Sequence, residues 1–295
     1  MMRRGLGMAG RLLRRSLRMA RPFVAGEIPV LTYHSVDDTR SLLSISPNEL
    51  RTQLAYLHSK GWSTLSPAEY VAQSAMPPDQ RPGRLMLITF DDGYRNFHEQ
   101  AVPLLLEFGY TATLFVGTGF VGRQPSWLDR DGFISQLLNE IGLTNVQRHE
   151  LDNGISVLAR ETLLGWPQLR EIVSVGMHVQ SHSSNHAMLT RLRPSELRQD
   201  LRESRLRLED ELGASVTSIA YPYGICNERV ALTAREVGFE VGFIADHGAR
   251  DKSGMMTWRV GISGSNAPAE VLSVLQTWPL YPRLRNLIRR RDALS

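Results

Sequence analysis

Cysteine is almost missing from this chain of 295 residues: Cys226 stands alone. That excludes an intramolecular disulfide and any zinc site built on thiolates, and leaves Cys226 as a small, buried apolar residue. Long hydrophobic runs are missing too. No stretch approaches the ~20 apolar residues that span a bilayer. The first 21 residues never form the uninterrupted apolar core of a secretory signal. Aromatics are sparse, at 7% of residues, and none interleave with the basic clusters. With no reading module in sight, no nucleic acid partner is expected.

What is present describes an ordinary globular protein, 42% hydrophobic and 22% charged, long enough for one large α/β barrel or two smaller domains. The formal charge of +4 is gathered at the ends. Arg3, Arg4, Arg11, Arg14, Arg15, Arg18 and Arg21 crowd the start, and Arg283, Arg285, Arg289, Arg290 and Arg291 the finish. The expected division is a basic tail over residues 1–26, amphipathic or disordered, then a catalytic domain over 27–275 and a second basic tail over 276–295. These tails could meet anionic lipid at a membrane surface, and the expectation is a cytoplasmic protein, peripheral to the inner membrane face if they do.

Residues 85–94, LMLITFDDGY, organise the rest. Leu85 to Ile88 form a continuous apolar run, as suits a strand buried on both faces, and Asp91 and Asp92 stand where it ends. Asp-Gly is a good turn dipeptide, and a turn is one reading. The other is a carboxylate pair compensated by a cation, one group binding metal and the other serving as a base.

Around this stretch, strands are expected at 28–33, 111–116, 175–180, 216–221, 241–245 and 258–262. Helices are expected at 48–60, from 66, and at 103–108, 166–173, 194–212 and 228–237. A longer insertion over 122–153 contains one further helix near Phe133 to Leu138. The charges of 194–212 read as a solvated face. This alternation gives about seven strands separated mostly by helices, the pattern of a parallel α/β barrel, whose site forms at the carboxyl ends of the strands.

Those ends carry His34, Asp91, Asp92, His182, His186 and Tyr223, with Arg259 inside the last strand. If residues 182–186 are helical, the four-residue spacing puts both imidazoles on one face. One carboxylate and two imidazoles match a catalytic zinc-type set with a position open for water, leaving the second carboxylate as base. His178 reads as structural, and His58, His98 and His149 as surface groups.

TFDDGY at 89–94, SHSSNH at 181–186 and AYPYG at 220–224 together resemble the carbohydrate esterase family 4 polysaccharide deacetylases, the NodB-homology domain, over about 28–262. The LTYH strand at 31–34 and the helix at Trp166 agree with it. The resemblance implies a distorted (β/α) barrel of about seven parallel strands and removal of N-acetyl groups from a polysaccharide, oligosaccharide or glycolipid. It implies Asp91 as base, Asp92, His182 and His186 as ligands of a divalent metal (zinc, or cobalt, nickel or manganese), and the Tyr223 backbone N–H as oxyanion donor.

Two positions depart from the family pattern. Ala220 stands where many members have an arginine that holds the base, and Arg259 is the candidate replacement or else a surface arginine. No histidine follows His247 to serve as the late general acid, so His34 or His247 is expected to protonate the leaving amine. Trp127, Trp166, Tyr223 and Trp258 could line a glycan groove or belong to the core, Trp166 and Trp258 being the substrate-binding candidates. The expected partner is an N-acetylated glycan or lipid-linked sugar. The alternatives are a catalytically silent carbohydrate-binding protein on the same fold and a hydrolase of a non-sugar amide.

Overall fold

The structure is a computed structural model that describes residues 27–39, 41, 43–130, 157–245, 253–262 and 266–276. The basic tails, the insertion helix near Phe133, His149 and His247 lie outside these residues.

In chain order, Val30–Tyr33 (β1), Ser35–Val36 (β2) and Ser44–Ile45 (β3) lead into helix Pro47–Ser59 (α1). Trp62–Thr64 (β4), Pro67–Ala75 (α2) and Arg84–Phe90 (β5) follow. Then come Val102–Glu107 (α3), Thr113–Val116 (β6), Trp127–Arg130 (α4), Trp166–Ser174 (α5), His178–Ser181 (β7) and Pro194–Leu212 (α6). Ser218–Ala220 (β8), Glu228–Val237 (α7), Val241–Ile244 (β9), Thr257–Trp258 (β10), Val260–Gly261 (β11) and Pro268–Gln276 (α8) complete it.

Local chemistry explains several boundaries. Ser46 and Ser66 each accept from the backbone N–H of a glutamate three residues on, Glu49 and Glu69, whose carboxylates reach back to the serine N–H. Each box is followed by a proline at the first helical position, where its missing N–H costs nothing. Helix α6 stops at Gly213, whose φ of 62° is a left-handed conformation cheap only for glycine.

Nine strands form one parallel sheet in the order β10-β9-β8-β7-β6-β5-β1-β11, with β4 added to the start of β5. The last strand does not run unbroken as its apolar pattern suggests. It divides at Arg259: Trp258 pairs with Ile244 on one edge, while Val260 pairs with Leu31 on the other. A single five-residue segment thus joins both edges and closes the sheet into a distorted barrel. Its seven staves are β1, β5, β6, β7, β8, β9 and the broken β10/β11.

Strand alternation then sorts the side chains. Val30, Leu87, Phe115, Ala220, Val241 and Phe243 share the barrel interior, where Leu65 and Tyr70 join them. Leu31, Tyr33, Met86, Ile88, Phe90, Leu114, Val116, Val179 and Ile219 face the other way and pack against α1, α3, α5, α6 and α7. Both faces are apolar, and this is why β5 reads as a continuous hydrophobic run. The inward series Leu87, Thr89 continues to Asp91, which places that carboxylate at the barrel mouth.

Candidate active site

Asp91 is buried and held by a two-pronged ion pair. Arg259 donates from Nη1 to Asp91 Oδ1 at 2.7 Å and from Nη2 to Oδ2 at 2.6 Å. Both side chains are under 5% exposed. The break between β10 and β11 is what aims Arg259 inward, and Nη1 also donates to Thr89 Oγ1 at 3.2 Å. Arg259 is therefore no surface arginine: it comes from another strand to hold the carboxylate that Ala220 cannot hold. The pair uses one lone pair on each Asp91 oxygen and leaves another on each. Burial alone would push the Asp91 carboxyl up, but the Arg259 guanidinium, aided by His182, overrides it and holds the group below the usual range.

Asp92 points elsewhere because its backbone turns. Its φ of 75° is left-handed, so the two adjacent carboxylates diverge. Asp92 Oδ1 lies 3.5 Å from His182 Nε2 and 3.3 Å from His186 Nε2. One ligand atom from each of the three buried residues falls within 4.8 Å of the others. Residues 182–186 are not helical, contrary to the expectation from their spacing. The two imidazoles converge because Ser183 and His186 adopt left-handed φ values of 66° and 47°. Among the described residues, the positive-φ non-glycines are Asp92, Ser183, His186 and Tyr223, all of them at this site. Concentrated backbone strain of this kind persists where surroundings enforce it, commonly at functional sites.

One enforcing group was hidden in the sequence. Asp200 lies on α6, whose charges read as a solvated face, yet it is 5% exposed. It accepts from the Ser184 N–H at 2.9 Å, the Asn185 N–H at 3.1 Å and Asn185 Nδ2 at 2.9 Å. It thereby pins the loop that carries both histidines. In Asp200→Ala these donors lose their acceptor; Ser184 is half-buried and Asn185 exposed, so each lost bond costs its net value of about 0.5–1.5 kcal/mol. We expect a fall of about 2 kcal/mol in unfolding free energy, read by urea titration, together with weaker metal uptake.

The donor set suits a divalent cation. His182 Nδ1 sits 2.7 Å from the Ala220 carbonyl, which fixes the tautomer with the proton on Nδ1 and turns the Nε2 lone pair toward Asp92. Burial would lower the pKa of His182, but Asp91 and Asp92 outweigh it and raise it. The charges that favour a proton between His182 and Asp92 equally favour a metal ion in its place. The Asp92 carboxyl is pulled far below its ordinary value by the same two histidines, against burial.

His34 ends β1, with a side chain 27% exposed and Nε2 4.0 Å from Asp91 Oδ2. It stands at the open side of the site. Tyr223 follows β8 in a left-handed conformation, φ 61°, and its ring stands nearly perpendicular to that of His186, with centroids 4.9 Å apart. Gly224 after it is obligatory, since its φ is +66° and a Cβ there would lie 2.1 Å from the Ala245 Cβ. The aromatic candidates fare differently. Trp127 is 2% exposed and stacks on His186, so it lines no groove. Trp166 is half-buried beneath the Arg207 guanidinium, 5.4 Å from ring centre to Cζ, and Trp258 is half-buried against the core. A cleft of about 640 Å³ among the described residues is lined by polar groups including Asp37, Asp38, Arg95, Asn96 and Glu161, and by none of the residues of this site.

With this geometry in view, residues 79–242 match the family model described as polysaccharide deacetylase. The chain belongs to the polysaccharide deacetylase family. Among family members, YxkH of Bacillus subtilis is 27% identical over 84% of this chain and 77% of its own length. The poly-beta-1,6-N-acetyl-D-glucosamine N-deacetylase of Escherichia coli O157:H7 is 22% identical over 81% of this chain, which spans only 37% of that protein. The enzyme of the same name from Staphylococcus aureus (strain MRSA252) is 25% identical over 68% of this chain and 60% of its own. The deacetylase fold is shared with Streptococcus pyogenes deacetylase PplD, at a TM-score of 0.65 with 23% identity over 85% of this chain and 99% of that one. IcaB from Ammonifex degensii gives the same TM-score with 24% identity over 85% and 97%.

Proposed function

We propose that this polysaccharide deacetylase is a metal-dependent hydrolase that removes N-acetyl groups from an N-acetylated glycan, with poly-β-1,6-N-acetylglucosamine as the first substrate to test. The observation that carries the reading is the division of labour between neighbours. Asp91 is held by Arg259, while Asp92 faces two histidines, all within one buried group. The substrate class follows the Escherichia coli and Staphylococcus aureus relatives, which are named for that polymer.

Asp92, His182 and His186 would hold the divalent ion. When bound, it would polarise the acetamide carbonyl and lower the pKa of water toward about 7. Asp91 would accept the proton of the attacking water at a carboxylate oxygen, using the lone pairs that Arg259 leaves unused. The Tyr223 backbone N–H would donate to the oxyanion as the carbonyl carbon becomes tetrahedral, a contribution of about 100-fold or more. His34 would deliver a proton to the leaving nitrogen from the open side of Asp91. His247, the other candidate for that role, lies outside the described residues.

Purified protein stripped of metal, then supplied with zinc or cobalt, should release acetate from β-1,6-linked N-acetylglucosamine oligomers. Chelator should abolish the release. Failure to release acetate from any N-acetylated glycan, by protein that demonstrably binds the metal, would overturn the enzyme reading.

A further inference from the structure

The two histidines that face Asp92 are held by different means. His182 is anchored through its second nitrogen by the Ala220 carbonyl at 2.7 Å. His186 Nδ1 is buried and, its own backbone aside, has no hydrogen-bond partner among the described residues. This is unusual for an imidazole aimed at a cation, because such rings nearly always donate their other N–H to an acceptor that fixes tautomer and orientation. Without that bond the terminal side-chain torsion of histidine is broad, and rotation would carry Nε2 away from Asp92.

Aromatic faces occupy the space instead. The Trp127 indole lies parallel to the His186 ring, with centroids 4.4 Å apart and an interplanar angle of 16°. His182 and Tyr223 meet His186 edge-on at 4.8 and 4.9 Å, so the imidazole is confined on several sides. Trp127 is itself immobilised, 2% exposed, with Phe120 at 4.5 Å in a T-shaped contact. Tyr94, Leu128, Leu158 and Leu163 complete a small apolar cluster around it, separate from the main core.

We propose that Trp127 is the positioning residue for His186, its stacked indole doing for that ring what the Ala220 carbonyl does for His182. The proposal rests on the metal-centre reading given above. An imidazole that shares its Nε2 lone pair with a cation becomes electron-poor. The negative face of an indole then attracts it more strongly, as it attracts other cations. The stack should therefore favour the metal-loaded state and keep His186 aimed at Asp92. Trp127 is too deeply buried to meet a substrate.

The test is cobalt titration of metal-free full-length protein, following the visible absorption of the ion and tryptophan emission together. Trp127→Leu should weaken Co²⁺ binding by about 10–100-fold, the range expected when the support of a metal ligand is lost, and should alter the cobalt spectrum. Trp127→Phe, which keeps a stacking ring, should retain the spectrum and most of the affinity. It should also lose the part of the cobalt-dependent emission quenching that the neighbouring indole supplies in wild type. If Trp127→Leu binds Co²⁺ with unchanged affinity and spectrum, the positioning role is overturned while the metal centre stands. Failure of wild type itself to take up Co²⁺ overturns the metal reading, and this proposal with it. Should Trp127→Leu not fold by circular dichroism, the Phe variant decides: quenching identical to wild type overturns the proposal.

Discussion

Asp91→Asn is expected to lower kcat by about 1,000-fold, within the 100- to 10,000-fold range of a positioned general base. KM for the glycan and the metal content should be unchanged. Asparagine has nearly the same shape, and its oxygen can still accept one of the two Arg259 prongs, which in wild type are 2.7 and 2.6 Å long; the guanidinium loses its buried counter-charge, so the variant should also unfold at lower urea than wild type. The amide cannot take a proton from water. Asp92 is unaltered, with its oxygen still 3.3–3.5 Å from both histidines. In folded protein the loss of activity should therefore fall on the chemical step. Steady-state kinetics with metal analysis distinguishes the outcomes: a loss below about tenfold would move the base away from Asp91, and a parallel loss of metal would join the two carboxylates in one role.

The ease of reading differed between parts of this site, for physical reasons. The β5 strand announces itself because a stave covered on both faces must be apolar throughout, and Leu85 to Ile88 satisfy that. The capping boxes that open α1 and α2 and the left-handed Gly213 that ends α6 are equally local, so those boundaries fall within a residue or two of expectation. The histidine pair was found by its spacing, but through the wrong geometry. Four residues bring side chains together in a helix, yet here left-handed Ser183 and His186 do so, under tension from Asp200 sixteen residues away. Nothing local distinguishes Asp200 from the other acidic residues of a heavily charged helix. Only the packed fold shows which one turns inward.

Arg259 illustrates the same limit from the other side. A chain with Ala220 in place of the family arginine needs another cation beside Asp91, and this requirement is visible in the sequence. That the last strand breaks at Arg259, pairing with β9 before it and β1 after it, is a consequence of closure, which no local pattern encodes. Trp127 likewise reads as any buried aromatic until His186 is seen against its face.

Arg259→Met is expected to be strongly destabilising. A buried ion pair that loses one partner leaves a charge without compensation, and such breaks cost about 3–5 kcal/mol. Asp91 escapes part of that cost by taking up a proton. With Arg259 gone, burial dominates and the Asp91 pKa rises, whereas in the intact protein Arg259 keeps it below the ordinary value. The sign follows directly. In wild type the pair stabilises the fold above the ordinary carboxylate pKa of about 3.9, and that contribution disappears as pH falls through the lower native value. In Arg259→Met the protonated form persists to higher pH, so the acid limb of the activity profile should shift upward and activity at neutral pH should fall. Arg259→Lys should be intermediate, since an ammonium supplies the charge but not the two parallel donors. The double variant Asp91→Asn/Arg259→Met, with neither member of the pair charged, should unfold at higher urea than Arg259→Met alone, a coupling that independent sites would not give. Urea unfolding and pH–rate profiles of the four proteins measure this. An Arg259→Met variant with wild-type stability and an unmoved acid limb would mean that the ion pair does not tune the base.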